Sequence, residues 1–543
     1  MRRRSSTPVH VVWGVSLLAV VVLAVALAAG CGSSGTSGNG GSSSSANPQA
    51  SILRLAYSST VTTWDPSASF STEVVYMANV YEPLMYANPP GSAEPFTPAL
   101  ATSWEVAKNG LSWTFHLRQG VTFHDGSPFN AEAVKYSIDR TKKLNLGAAY
   151  LWAPVKEVQV VDDNTVKMIL SYPVALDRIA AASSGSWIFS PETKGKSAKW
   201  WDQGHEDGTG PWILQSYKPN QELVFVRNTN WWGDWSDKQF QKIDVQIVSD
   251  ASTQQQMLEA GQIDYAGLVD RDQLSQLQSN PDIDVVKAQS WNNYLMFFNT
   301  QRKPLDNVTV RQALSYAIPY QDLITVGTNG LATQAKGPVP VGLWPNAKGD
   351  VNQYTTDLDK AKQLLAQAGY PNGGFTLKLT YTAENPIEGA FAPLIKESFA
   401  KVGVNVQIQK LLWNQQWAKA KGPAGQRQDL FCLLWWPSLP DGYDNLNSMF
   451  RPETTPAWNL SYWYDKDFDK QLSEAYRLSA FPTTLDQSQV KYNDVQNMLV
   501  DQAVAGFLFD AQTVVAHLKT LQFDGNAANP NYPQVLFWVH VTH

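Results

Sequence analysis

From Leu111 onward the apolar residues Leu111, Trp113, Phe115 and Leu117 alternate with Ser112, Thr114, His116 and Arg118. A period of two predicts a half-buried strand with His116 turned away from the core. Val158 and Val160, then Val166, Met168 and Leu170, form two more alternating runs around Asp162-Asp163-Asn164, the composition of a hairpin turn. Residues from about 86 to 191 are therefore expected to form a compact antiparallel subdomain. Farther on the period lengthens. Asp250 stands where a helix cap would, ahead of Gln254, Met257 and Leu258, and Gly261 where that helix would stop. Asp357 opens a second helix, with Leu358, Ala361, Leu364, Leu365 and Ala368 on one face and Gly369 at its end. Phe375 to Tyr381 reads as a strand, Glu388 to Val402 as a helix closed by Gly403, and Val404, Val406 and Ile408 as the next strand. That alternation predicts an α/β lobe with its own sheet. No fixed-period repeat is present, which argues against a solenoid or propeller.

The first residues follow a different pattern. Arg2 to Arg4 precede an apolar run from Val11 to Ala29, followed by Gly30 and Cys31, the order of a secretory signal. The run would also span a bilayer, so length does not separate a cleaved signal from a permanent anchor. Its cleavage context does. Leu27-Ala28-Ala29-Gly30-Cys31 resembles the bacterial lipobox, with Ala28 where Leu is commoner. The resemblance implies a signal peptide over 1–30 and a lipid anchor on Cys31. Ser33 to Ser45 is almost wholly Gly, Ser, Thr and Asn, too polar to fold, so 31–50 is expected to be a flexible tether. A globule held at the extracytoplasmic face of a membrane follows.

What remains beyond the tether is too long for one hydrophobic core and long enough for two or three domains. The formal charge of −6 becomes more negative without the three leading arginines, and no basic cluster is present, which excludes nucleic acid as an expected partner. Cys432 is the one cysteine left after Cys31, so no intramolecular disulfide is available. It lies in the apolar run Leu430-Phe431-Cys432-Leu433-Leu434, as a buried inert thiol would.

A longer resemblance begins at Tyr81-Glu82-Pro83-Leu84 and Pro98-Ala99-Leu100-Ala101-Thr102-Ser103-Trp104-Glu105. Its strongest block is continuous from Trp113 through His116, Gly120, Phe123, His124, Asp125 and Gly126 to Phe129. Gly208-Thr209-Gly210-Pro211-Trp212, Arg227-Asn228 with Trp231-Trp232, Asp250 to Thr253, Asn299 before Val310 to Leu314, and Ala361-Lys362 leading to Ala368-Gly369-Tyr370 continue it in order. Together these resemble the bacterial extracellular solute-binding proteins of family 5, the peptide, dipeptide and nickel group serving ABC importers. The resemblance implies an α/β fold of the type II periplasmic-binding-protein class, with two lobes, hinge strands and an inserted antiparallel subdomain. Lobe I would combine 51–290 with 511–543, and lobe II would run over 291–510. Strands near 294–299 and 507–515 would cross between them. Locally, Asp125-Gly126 supplies a turn and Asn130 a helix cap ahead of Val134 and Ile138.

Asn414-Gln415-Gln416-Trp417 and the segment from Leu434 through Trp435, Trp436, Ser438 and Asp441 to Tyr443 resemble the ligand-lining region of peptide-binding members. Where those members carry an aspartate for the ligand's ammonium and an arginine for its carboxylate, this chain has Ser438 and Cys432. A buried charge without a partner costs several kcal/mol, roughly, so the charged termini of a peptide would need other partners. Asp441 could supply one charge, or order the Asp441-Gly442 turn. Phe70, Ser71 and Tyr150 align with lining segments of the first lobe. The 21 tryptophans equal the tyrosines and the phenylalanines in number, and indole faces suit sugars as well as apolar side chains. The expected ligand is thus a peptide or an oligosaccharide, taken up by a monomer working with membrane permease subunits, without cofactor or metal.

Enzymes fit less well. Gly-x-Ser-x-Gly, His-Glu-x-x-His and Cys-x-x-Cys are all absent. A secreted glycoside hydrolase is the alternative from another class, with Asp465, Asp467 and Asp469 as its carboxylates, though three acidic residues so close also suit a helix start. His540 and His543 at the chain end suit solvent better than a metal.

Overall fold

The computed structural model describes residues 52–70, 72–88, 92–346, 351–383, 385–452, 458–523 and 541–542. The expected signal sequence and tether, with Cys31, Ser71, His540 and His543, lie outside the described residues. Among the described residues, no helix is long and apolar enough to cross a membrane.

Eleven strands form one mixed sheet that runs through both lobes. On one side, Ile52–Tyr57 lies parallel to Lys242–Ile247 and to Tyr265–Ala266, and Glu222–Arg227 and Trp212–Lys218 add antiparallel strands to its edge. On the other, Thr376–Thr382 lies parallel to Asn405–Leu411 and to Leu430–Trp435. Two long strands join the halves. Ile283–Phe298 and Ala505–Leu518 pair antiparallel over nearly their full lengths, with register shifts between Gln289 and Asn292 and between Tyr294 and Leu295. These are the hinge strands of a two-lobed, type II periplasmic-binding-protein-like fold, and the first begins well before 294–299, the stretch that the resemblance implies for it.

Alternation along the central strands explains how the second lobe is built. Leu295 and Phe297 enter one core, while Tyr294, Met296 and Phe298 enter another on the opposite face. Phe431, Leu433 and Trp435 divide from Leu430 and Cys432 in the same way. A strand buried on both faces must be apolar throughout, which is why Leu430 to Leu434 shows no alternation. Cys432 is fully buried, and burial raises its thiol well above the ordinary range, as expected of an inert core group.

The antiparallel subdomain carries its own four-stranded sheet, in the order Ala101–Val106, Ser112–Leu117, Thr165–Leu170, Val155–Asp162. Helix Ala131–Leu144 starts at Asn130, whose side chain accepts from the Ala133 N–H, and buries Val134 and Ile138. The other caps follow the sequence reading: Asp250 accepts from Thr253 at Ala251–Glu259, and Asp357 from Lys360 at Leu358–Gln367. Gly261, Gly369 and Gly403 close their helices with positive φ. Gly208 and Gly210 are required for a different reason. A Cβ on Gly208 would stand 1.9 Å from the Val80 carbonyl oxygen, and one on Gly210 2.6 Å from that of Asn79.

Candidate functional site

A cavity of about 660 Å³ lies where the two halves of the sheet meet. Ser58, Phe70, Ser184 and the segment Leu268 to Asp272 line it from the first lobe; Tyr294, Asn385, Glu388 and the tryptophans Trp413, Trp435, Trp436 and Trp458 line it from the second. The volume is that of a pocket for a small solute.

The aromatic wall is built by two elements. Strand Leu430–Trp435 delivers Trp435 at its end, where the backbone turns into the loop carrying Trp436 and Ser438. Helix Trp413–Lys421 places Trp413 and Trp417 one turn apart, and their rings stack at 5.3 Å. Trp458 joins them, its centroid 4.1 Å from Trp417 and 5.1 Å edge-on from Trp435. Trp417 thus backs the wall without reaching the cavity lining, and the Lys421 ammonium lies 5.0 Å over its ring. The indole N–H of Trp435 is buried with no hydrogen-bond partner among the described residues.

On the opposite wall stands Arg271. Its Nη2 donates to the Gln512 carbonyl at 2.8 Å, but Nη1 is buried with no partner. It forms no ion pair among the described residues, and burial lowers its pKa against a small opposing effect of the Tyr294 phenol. The lining carboxylates are differently placed. Asp270 accepts from Ser252, Gln273 and the Asp272 N–H. Asp272 accepts from Asn329 at 3.0 Å, and Glu388 from the Thr382 N–H at 2.7 Å.

Beside the cavity the lobes touch directly. Arg178 of the subdomain donates from Nη1 to Asp441 Oδ2 at 2.5 Å and stacks on Trp344 at 3.9 Å. Asp441 is 0% exposed, and burial raises its carboxyl although Arg178 pulls it down. The Tyr150 hydroxyl donates to Asp444 at 2.6 Å, and the Ser183 N–H and hydroxyl both donate to the Ser438 carbonyl.

Of the residues singled out in the sequence, then, Phe70, Trp435, Trp436 and Ser438 come together around the cavity. Tyr150 and Asp441 lie at the lobe contact; Asp441 accepts from the Tyr443 N–H, as a turn residue does, and its charge is met by Arg178 within the chain and not directed at the cavity. Tyr443 stacks face to face on Tyr476 at 3.6 Å, away from the lining. Sequence reasoning missed Arg271, Tyr294, Trp413, Trp458, Asn385 and Glu388. Trp413 carried a signal, its spacing of four from Trp417. Asp270-Arg271-Asp272 did not, because an alternating charged triplet reads as solvated surface. Asp465 caps helix Lys466–Leu478 through the Asp467 and Phe468 N–H groups, the role of a helix start.

Comparison with known proteins follows the same lines. The family model described as bacterial extracellular solute-binding proteins, family 5 Middle, matches residues 95–456. Heme-binding protein A of Haemophilus influenzae is 30% identical over 433 residues, covering 75% of this chain and 77% of that protein. The dipeptide-binding protein of Escherichia coli is 29% identical over 437 residues, covering 75% and 79%. Among solved structures, the periplasmic binding protein DppA from Helicobacter pylori in complex with the peptide STSA superimposes with a TM-score of 0.76 at 26% identity, covering 90% of this chain and 98% of that one.

Proposed function

Because the chain belongs to the bacterial extracellular solute-binding proteins of family 5, we propose that it captures a peptide or peptide-like solute between its lobes and delivers it to an ABC importer. Members of this family are extracytoplasmic transport proteins, not enzymes; they bind small ligands and work with membrane permeases. The observation that carries the reading is the 660 Å³ cavity lined from both lobes. A solute enclosed there is desolvated on two sides at once, which strengthens every polar contact it makes. We place the lobe boundaries near residues 290 and 511, a division supported by the register shift between Gln289 and Asn292. Phe70, Trp435, Trp436 and Ser438 meet the solute. Trp417 backs the aromatic wall, Tyr443 supports the loop, and Tyr150 and Asp441 hold the lobes together. Cys31 anchors a monomer to the membrane by lipid, with the Gly/Ser-rich segment as its tether.

Thermal-shift screening of peptides and oligosaccharides tests this, since a ligand that binds only the native state raises Tm. Trp435→Ala should weaken the best peptide found by about 1–3 kcal/mol in titration calorimetry, as loss of a buried aromatic anchor does. Unchanged affinity in the folded variant would remove Trp435 from the site. The row of indole faces favours an oligosaccharide as the second reading, and selective stabilisation by oligosaccharides would establish it instead.

A further inference from the structure

The cavity has a polarity that its aromatic lining conceals. Two of its lining residues, Arg271 from the first lobe and Trp435 from the second, each have a buried side-chain donor without a partner among the described residues, and no acceptor of the lining is in that position. Unpartnered indole N–H groups also occur at Trp64, Trp113, Trp187, Trp201, Trp212 and Trp291, but those residues are not in the lining; at Arg271 and Trp435 an acceptor from outside the chain can enter and complete the pairing that buried donors normally have. Arg271 carries the stronger demand because its guanidinium is charged and makes no ion pair among the described residues. Neighbouring carboxylates do not meet it: Asp270, Asp272 and Glu388 accept from neutral side-chain and backbone donors instead. Arg271 sits across the cleft from strand Leu430–Trp435, where Cys432 points into the hydrophobic core and offers no charge.

We propose that Arg271 is a specificity residue for a free carboxylate on the solute, with the Trp435 N–H as an accessory donor from the opposite wall. A guanidinium already fixed by Nη2 to the Gln512 carbonyl has lost part of its freedom beforehand, and an arriving carboxylate completes its hydrogen bonding in a charge-assisted pair. A neutral ligand of the same shape leaves the charge buried and alone. The proposal rests on the capture of a solute in this cavity and narrows its chemistry.

Matched probes on the full chain separate the two ideas: the tripeptide Ala-Leu-Ala against its C-terminal amide, and a galacturonate disaccharide against its methyl ester, each titrated into wild type, Arg271→Gln and Arg271→Lys. The free acid of at least one pair should bind roughly tenfold to hundredfold more tightly than its neutral partner, the range expected of a charge-assisted hydrogen bond. Arg271→Gln should erase that ratio, and Arg271→Lys should retain part of it. Acid-selective binding of the disaccharide alone supports the carboxylate site while overturning the peptide reading. Equal binding of acid and neutral forms, or a ratio that survives in Arg271→Gln, overturns the carboxylate site while leaving capture intact. Failure of all four probes counts against both. A second readout needs no ligand: relieved of a buried unpaired charge, ligand-free Arg271→Gln should melt above wild type. Melting below it would make Arg271 a structural residue and overturn the assignment.

Discussion

Arg178 and Arg271 are both largely withdrawn from water at the junction of the lobes, yet they are satisfied in opposite ways. Arg178 has a carboxylate at 2.5 Å and an indole face at 3.9 Å, both from the opposite lobe. Arg271 has one backbone carbonyl and a terminal nitrogen with no partner. The first arrangement is complete without a guest and exists only while the lobes meet, so it belongs to closure. The second is incomplete without a guest, so it belongs to binding. One cleft therefore divides its charges between holding itself shut and selecting what it shuts over.

Breaking the closure side should have the largest effect. Arg178→Ala leaves Asp441 buried without its counter-charge, a loss of about 3–5 kcal/mol. That penalty is relieved if the lobes separate and readmit water to Asp441. The variant should show a larger radius of gyration by small-angle X-ray scattering and a lower denaturation midpoint. Adding Asp441→Leu should restore most of the stability, because a pair removed together leaves no stranded charge. Arg178→Ala with unchanged dimensions and stability would erase the distinction between the two arginines.

Asp510 sharpens the comparison because it is a buried charge of a third kind, facing only neutral donors. It lies on the hinge strand Ala505–Leu518 and accepts from Asn293 Nδ2 at 2.7 Å and the Val341 N–H at 2.9 Å. Burial pushes its carboxyl up to about 7, against those two hydrogen bonds. In the unfolded chain the group returns to the ordinary aspartate value near 4. Between those limits the native state holds a proton that the unfolded state has released, so this group's contribution to stability falls as pH rises and levels off above about 7. Across that window the loss is on the order of 4 kcal/mol. Asp207, also raised to about 7 by burial and by Asp125, acts in the same direction. Asp510→Asn should flatten the part due to Asp510. The slope of unfolding free energy against pH is the measurement, because the new amide cannot accept both donors and will lower absolute stability at every pH. An unchanged slope would mean that Asp510 does not titrate in this range.

These contrasts also show what local sequence can carry. The most recognisable block, Trp113 to Phe129, places Trp113, Phe115, Leu117, Val121, Phe123 and Phe129 in the first lobe's core and contributes nothing to the cavity lining. Alternation, caps and terminal glycines revealed the strands and helices because each depends on neighbours within a few residues. Trp435, Trp436 and Ser438 were legible through a family resemblance, and Phe70 more loosely. Arg271 was not, since the carbonyl that fixes its guanidinium belongs to Gln512, far off in the chain. The pairing of Arg178 with Asp441 spans 263 residues and was equally hidden. Asp441 looked like a turn residue because its charge partner belongs to another lobe.

The smallest expected effect concerns a second contact at the lobe junction, and it asks whether closure rests on one ion pair or on a network. Tyr150 donates to Asp444 Oδ1 at 2.6 Å, but that carboxylate also accepts from the Ser438 N–H at 2.9 Å and the Ser448 hydroxyl at 3.1 Å. Tyr150→Phe therefore leaves Asp444 with two donors and keeps the edge-on ring contact with Phe70 at 6.2 Å. The cost should be about 1 kcal/mol, that of one hydrogen bond whose acceptor stays satisfied. Denaturant unfolding of Tyr150→Phe, Arg178→Ala and the double variant measures it. If the two losses add, the contacts act separately and Arg178 dominates. If Tyr150→Phe alone costs as much as Arg178→Ala, closure is cooperative across the junction, and the contrast drawn between a paired and an unpaired arginine must be redrawn as one between a network and a single waiting group.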